Sequence, residues 1–330
     1  MSKQSAAVRP DPTFLRKAAI INGGVLDHSG SVFIEPIPDF DLNRTIFQTL
    51  EGSFPRFVQK SRIAKEVFWK DHVASKIQKS YQDVRSEVNL PDIDSNLLNF
   101  LVEECDFDVE HAEGSFLDHL YFGFEYCTQH YTQHSPLVMF LHSILGTGTN
   151  TFAMKAEKIP ELKSLVNSFE WSQTEAFPSM LRLLYVGKLR QELRANLHRA
   201  NDLKEIRFHR VIDNEPIVMS GEDFWIQLNY QLVHIIDFLP AANWIAHKSD
   251  TSFIIFRDLY DILERAGKRE AHVNYTPASG PSQLVGEKHT LGSWLVTKIP
   301  VSLAEKASSR AIQAFSSRIG HSTEYEIEWA

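Results

Sequence analysis

The sequence predicts a mainly α protein, a helical bundle with a small β-hairpin and short terminal strands. Three observations carry this. Apolar residues recur at spacings of three and four along most of the chain, as one face of a helix requires. Short extended or alternating stretches are confined to residues 30–36, 208–218 and 324–329. Phenylalanine, at 22 copies, leads the aromatic residues, and side chains of that size favour a well-packed core.

Residues 1–12 are polar and Pro-containing and read as a flexible tail. Gly30 to Pro36 reads as a short strand or extended arm closed by prolines. From about Asp41 to Val88 the pattern turns helical, with Ile63, Val67, Phe68, Val73, Ile77, Tyr81 and Val84 mostly three or four apart. Pro91 to Ser95 is a turn whose polar end caps a helix from Asn96 to Glu104. A helix from about Gly114 to Tyr131 follows. Ser135 is a natural N-cap and Pro136 suits a first helical position, so the next helix begins there, runs through Leu145 and stops at Gly146. It is apolar on nearly every side, which predicts a buried helix.

Leu181, Leu184, Tyr185, Leu189, Leu193 and Leu197 form one helical stripe. Phe208 to Val218, broken by Asp213-Asn214-Glu215, reads as the hairpin. Glu222 to His247 is a long helix bent at Pro240, and Phe253 to Arg265 is another. Residues 275–292 are rich in Pro, Gly and Ser and read as a loop. A helix from Ser302 to Ser317 and a strand from Glu324 to Trp329 end the chain. The chain thus divides into a tail (1–12), an N-terminal arm and helices (13–95), a helical core (96–270), and a loop with a C-terminal helix and strand (271–330).

A net charge of −8 argues against nucleic acid as the main partner, since phosphate binding needs an excess of Lys and Arg. One basic run, Arg182, Lys188, Arg190, Arg194, Arg199, Lys204, Arg207 and Arg210, reads as the wet side of a helix, with an anion pocket as the alternative. Cys105 and Cys127 make no disulfide framework, residues 1–10 lack the apolar core of a signal peptide, and no window approaches the roughly 18 apolar residues of a membrane span. The expectation is a cytoplasmic protein with a small-molecule substrate and no nucleic-acid or membrane partner, its oligomeric state open. Phosphate-loop, dinucleotide and nucleophile-elbow motifs are absent from the sequence.

Position singles out a few of the 14 histidines. His142 lies near the end of the apolar helix, where both ring nitrogens need partners; it is either a core His bonded to a carbonyl or a metal ligand. His119 falls at the boundary between the apolar and polar faces of the preceding helix. Asp223, Gln227, Tyr230, His234 and Asp237 form a narrow polar stripe on the 222–247 helix, which either faces solvent or lines an internal cleft. Gly146-Thr147-Gly148-Thr149 is a helix stop or part of a cleft wall.

Taken together, His111-Ala112-Glu113-Gly114-Ser115-Phe116-Leu117-Asp118-His119-Leu120 and Phe140-Leu141-His142-Ser143-Ile144-Leu145-Gly146-Thr147 resemble the HD superfamily, in particular a branch in which the second motif reads His-Ser. Residues 101–110, Trp69 to His72 and Gln78 to Arg85 are more weakly similar to myo-inositol oxygenases, di-iron enzymes of the same fold. The resemblance spans about residues 65–250 and implies an HD-type helical bundle. It implies a metal held by His119, His142 and Asp237, with Ser143, Thr147, His234 and Arg194 facing the substrate. Ser143 stands where the family has the Asp shared by two ions, which argues against a dinuclear site. His198, His209 and His234 are available as further ligands. Two imidazoles and a carboxylate suit non-haem Fe(II), with Zn or Mn also possible as the divalent metal. The resulting expectation is a metal-dependent oxygenase acting on a small polar metabolite; the alternatives are an HD-type hydrolase and a non-catalytic binding protein.

Overall fold

The computed structural model describes residues 14–24, 53–63, 66–69, 71–104, 110–111, 114–146, 154–237, 248–275 and 285–330. The protein is mainly helical with a small antiparallel sheet, as its periodicity predicts. The expected tail at 1–12, the arm at Gly30 to Pro36, Thr147 and the bend at Pro240 lie outside the described residues.

The first helix, α1 (Phe14–Asn22), packs on α3 (Asp71–Glu87). Between them in sequence come α2 (Ser53–Ile63) and strand β1 (Glu66–Trp69). Val67 and Phe68 therefore correct the continuous helix expected over 41–88. They pair with Glu287 and Gly286 of β6 (Val285–Lys288), a partner too distant in sequence for local spacing to reveal. The same pairing puts a strand inside the loop expected at 275–292, and α12 (Leu291–Val296) follows it.

Asp94 Oδ1 accepts from the backbone N–H groups of Asn96 and Leu97 and so caps α4 (Ser95–Glu104). A two-residue ladder, β2 (Glu110–His111) with β3 (Gly114–Ser115), leads into α5 (Phe116–His130). The apolar helix, α6, is short, Leu137–Leu141, and passes into a turn at His142. Its lack of a polar face has a direct cause. Val138 and Met139 belong to the main core, whereas Phe140 and Leu141 belong to a second cluster with α4 and the outer face of α5.

The stripe from Leu181 to Leu197 is not one helix. After α7 (Ile159–Ser164), α8 (Ser168–Val186) starts at a capping box of Asn167 and Glu170 and ends at Gly187, whose φ of 87° suits glycine. From there α9 (Lys188–Ala195) sets off in a new direction. The hairpin consists of β4 (Leu203–His209) and β5 (Pro216–Ser220), with Ile206 opposite Met219. β7 (Glu326–Trp329) adds to the other edge of β4, giving the order β5-β4-β7.

Ser220 caps α10 (Gly221–Ile236), the central helix of the core. It packs against α5, α6 and α8, and against α11 (Thr251–Arg265). Its four sides are all covered, so the stripe of Gln227, Tyr230, His234 and Asp237 is buried rather than wet. The last helix, α13 (Val301–Arg318), lies against α8. No helix among the described residues is long and apolar enough to cross a membrane.

Candidate metal centre

Three helices bring four of the sequence-selected residues together. His119 stands in the first turn of α5, His142 directly follows α6, and His234 and Asp237 lie about one turn apart at the end of α10. Gly123 lets α5 and α6 approach at this level. A Cβ there would sit 2.7 Å from Cε and 3.1 Å from Cβ of Met139. The carbonyl of Met139 in turn receives Nδ1 of His142 at 2.6 Å.

The ring partners fix the tautomers. A carbonyl only accepts, so Nδ1 of His142 carries the hydrogen. Nδ1 of His119 lies 2.5 Å from Oδ2 of Asp237. Burial pushes the Asp237 carboxyl up, but the Arg16 guanidinium and His119 more than offset this and hold it well below the usual carboxylate range. The ionised carboxylate accepts, so Nδ1 of His119 also carries a hydrogen. In the neutral rings both Nε2 atoms are therefore lone pairs, yet they face each other at 2.9 Å. Two lone pairs at that distance repel unless a cation, a proton or a metal ion, lies between them.

His234 completes the set. Its ring centroid is 5.2 Å from that of His119 and 4.6 Å from that of His142, and one ligand atom of each of the three rings lies within 4.8 Å of the others. Three metal–nitrogen bonds of about 2.0–2.1 Å in a tetrahedral arrangement hold the nitrogens roughly 3.3 Å apart. The buried triad can hold a divalent ion once the His119–His142 pair opens by a few tenths of an ångström and His234 moves in. Phe177 of α8 covers it, its ring 4.8 Å from His142 and 5.2 Å from His234.

Asp237 lies in this cluster, behind His119. Nε and Nη2 of Arg16 donate to its two oxygens at 2.6 and 3.0 Å, and His119 takes the remaining approach to Oδ2. Its oxygens face α1 and Nδ1 of His119, so the carboxylate orients that ring. A third imidazole, that of His234, stands beside the pair.

The remaining candidates are placed elsewhere or beside the site. Ser143 is buried in the turn after His142, where its carbonyl accepts from Gly146. Arg194 pairs with Asp258 at 2.7 Å and Asp261 at 3.5 Å on α11. Its neighbours in the basic run are similarly engaged: Arg190 with Asp258 and Glu305, Arg207 with Glu205, Glu326 and Glu328, and Arg210 with Glu175 and Asp213. His198 is exposed, and the carbonyl of His209 accepts from Ser179. Arg16, Met139 and Phe177 escaped the sequence reading. Arg16 lies 221 positions from Asp237, and nothing local marks any of the three. Comparisons with protein-family models, with curated proteins and with solved structures found no match to this chain.

Proposed function

We propose that the protein is a metal-dependent enzyme with a mononuclear three-histidine centre, related to the HD superfamily, that activates water for attack on a small polar metabolite. The observation that carries this is the facing pair of Nε2 lone pairs on His119 and His142, with His234 beside them. The preference for Fe(II) and oxygenase chemistry depended on a carboxylate ligand. With Asp237 engaged by Arg16, the donors are three neutral imidazoles, a set that suits zinc with a fourth position open. Such an ion supplies Lewis acidity and a lowered pKa for a bound water.

The chain's own residues do the rest. Asp237 and the Met139 carbonyl hold the rings of His119 and His142 in the tautomer that presents Nε2. Phe177 and the surrounding apolar side chains exclude bulk water and lower the local dielectric, which strengthens every electrostatic interaction there. Arg16 keeps Asp237 ionised and holds its carboxylate beside α1.

Loading the apo-protein with cobalt(II) tests this reading. A four-coordinate site with three nitrogens gives an intense visible absorption at one equivalent, and the His234→Ala variant loses it. A weak octahedral spectrum, or one unchanged in His234→Ala, would contradict the proposed centre.

A further inference from the structure

Seven large apolar side chains stand exposed among the described residues, and five of them share one place. Phe54 and Phe57 lie on α2, Leu291, Trp294 and Leu295 lie on α12, and their exposures run from 46% to 74%. The two helices pack on each other. A Cβ on Gly292 would lie 2.8 Å from Ser61 Oγ and 3.9 Å from Cζ of Phe57, so α12 crosses α2 beside that ring. Ser293 and Val296 turn inward, and Leu291, Trp294 and Leu295 share the opposite arc of α12. Phe54 and Phe57, three apart, lie on one side of α2. The five make one exposed apolar face rather than scattered single residues, and such a face marks an interaction site.

Charge narrows the partner. The sequence of α2 carries Arg56, Lys60 and Arg62, and the stretch from Leu291 to Pro300 carries Lys298; neither has an Asp or a Glu, in a chain whose net charge is −8. Arg56 and Lys298 are exposed, and Nζ of Lys298 stands 5.3 Å from the centre of the Trp294 ring. A second copy seated face to face on this patch would set these cations against their own kind, as the two-fold symmetry of such a dimer requires. Nucleic acid offers phosphates to the cations but no apolar layer to Leu291 and Leu295.

We infer that this face seats the protein on the surface of a bilayer that contains anionic lipid. Trp294, Phe57 and the two leucines enter the headgroup layer, where amphipathic aromatic rings are favoured, while Arg56 and Lys298 meet acidic headgroups. Neither part suffices alone, since reversible anchoring of this kind adds buried apolar area to electrostatic attraction. The expectation of no membrane partner rests on the lack of a spanning segment, and a helix lying in the interface needs none. The contact is independent of the histidine cluster and of any metal there.

The test is flotation of the full-length protein with vesicles of phosphatidylcholine alone and of phosphatidylcholine with phosphatidylserine. The parent binds the anionic vesicles about tenfold more tightly or better, and added salt weakens the binding. Phe57→Ser/Trp294→Ser, an exposed pair whose loss leaves the melting temperature unchanged, binds them about tenfold more weakly. Arg56→Glu/Lys298→Glu loses the preference for phosphatidylserine. Insertion is read separately: brominated lipid quenches tryptophan fluorescence in the parent, and Trp294→Phe still binds but loses most of that quenching. A parent that binds neither vesicle, or binds both equally, overturns the inference. So does equal binding by Phe57→Ser/Trp294→Ser, or binding without quenching, which would leave the protein held above the surface by charge alone. A parent that is dimeric in the absence of vesicles, and that Phe57→Ser/Trp294→Ser renders monomeric, would make the face a protein interface and overturn the inference as well.

Discussion

Arg16 and Asp237 form a buried, two-point ion pair between the first helix and the end of the central one, Nε to Oδ1 at 2.6 Å and Nη2 to Oδ2 at 3.0 Å. The pair ties α1 to the back of the histidine cluster, because the same carboxylate orients His119. Breaking it from one side leaves a charge without a counterpart in a dry place. Asp237→Asn should cost about 3–5 kcal/mol in urea unfolding of the metal-free protein. Removing both charges in Arg16→Met/Asp237→Asn should recover most of that loss. Metal affinity, read by chelator competition, should stay about 10–100-fold weaker in both variants, since the carboxylate behind His119 is gone. Full recovery of affinity in the double variant would leave Asp237 with no role at the centre.

Gly123 sets the spacing of the helices that carry His119 and His142. A methyl group there displaces the flexible Met139 Cε, 2.7 Å away, and presses on its Cβ at 3.1 Å, and the Met139 carbonyl holds His142. Gly123→Ala should destabilise by about 1–3 kcal/mol through overpacking. It should also weaken metal binding without touching a ligand. Unaltered affinity at reduced stability would confine Gly123 to packing.

Acid should unfold the metal-free protein in two windows. His321 is buried and sits beside the Arg182 guanidinium, while its Nε2–H donates to the His209 carbonyl. Burial and Arg182 push its pKa down to about 4, against about 6.5 when unfolded. As pH falls from about 6.5 the unfolded chain takes up this proton first, so stability declines until about 4, by at most about 1.4 kcal/mol per unit from this group. His321→Asn should flatten that part of the melting temperature against pH curve. Asp237 acts lower. Its folded pKa lies below the unfolded value of about 3.9, so its contribution is complete above that value and is lost as pH falls through the folded one. Equal slopes for the parent and His321→Asn between pH 6.5 and 4 would contradict the assignment.

Much of the helical order was legible because amphipathic spacing is a local signal. The Asp94 cap, the buried character of α6 and the turn at Asp213-Asn214-Glu215 were all written within a few residues. What local pattern could not reveal was pairing at a distance. Val67 and Phe68 fit a helical stripe as well as a strand, and only β6 decides between them. The centre shows the same division. His119 and His142 stood out by position, and the stripe containing His234 and Asp237 was visible as a stripe. Which of its members turns toward the imidazoles depends on Arg16, far away in sequence, drawing Asp237 aside.

An ion held jointly by His119, His142 and His234 should be lost when any one ring is removed. The decisive measurement is metal analysis of the dialysed protein after exposure to zinc, beside His142→Ala treated identically. The expected result is one equivalent in the parent and less than a tenth of that in the variant, with both proteins folded by circular dichroism. Equal metal content in the two would contradict it.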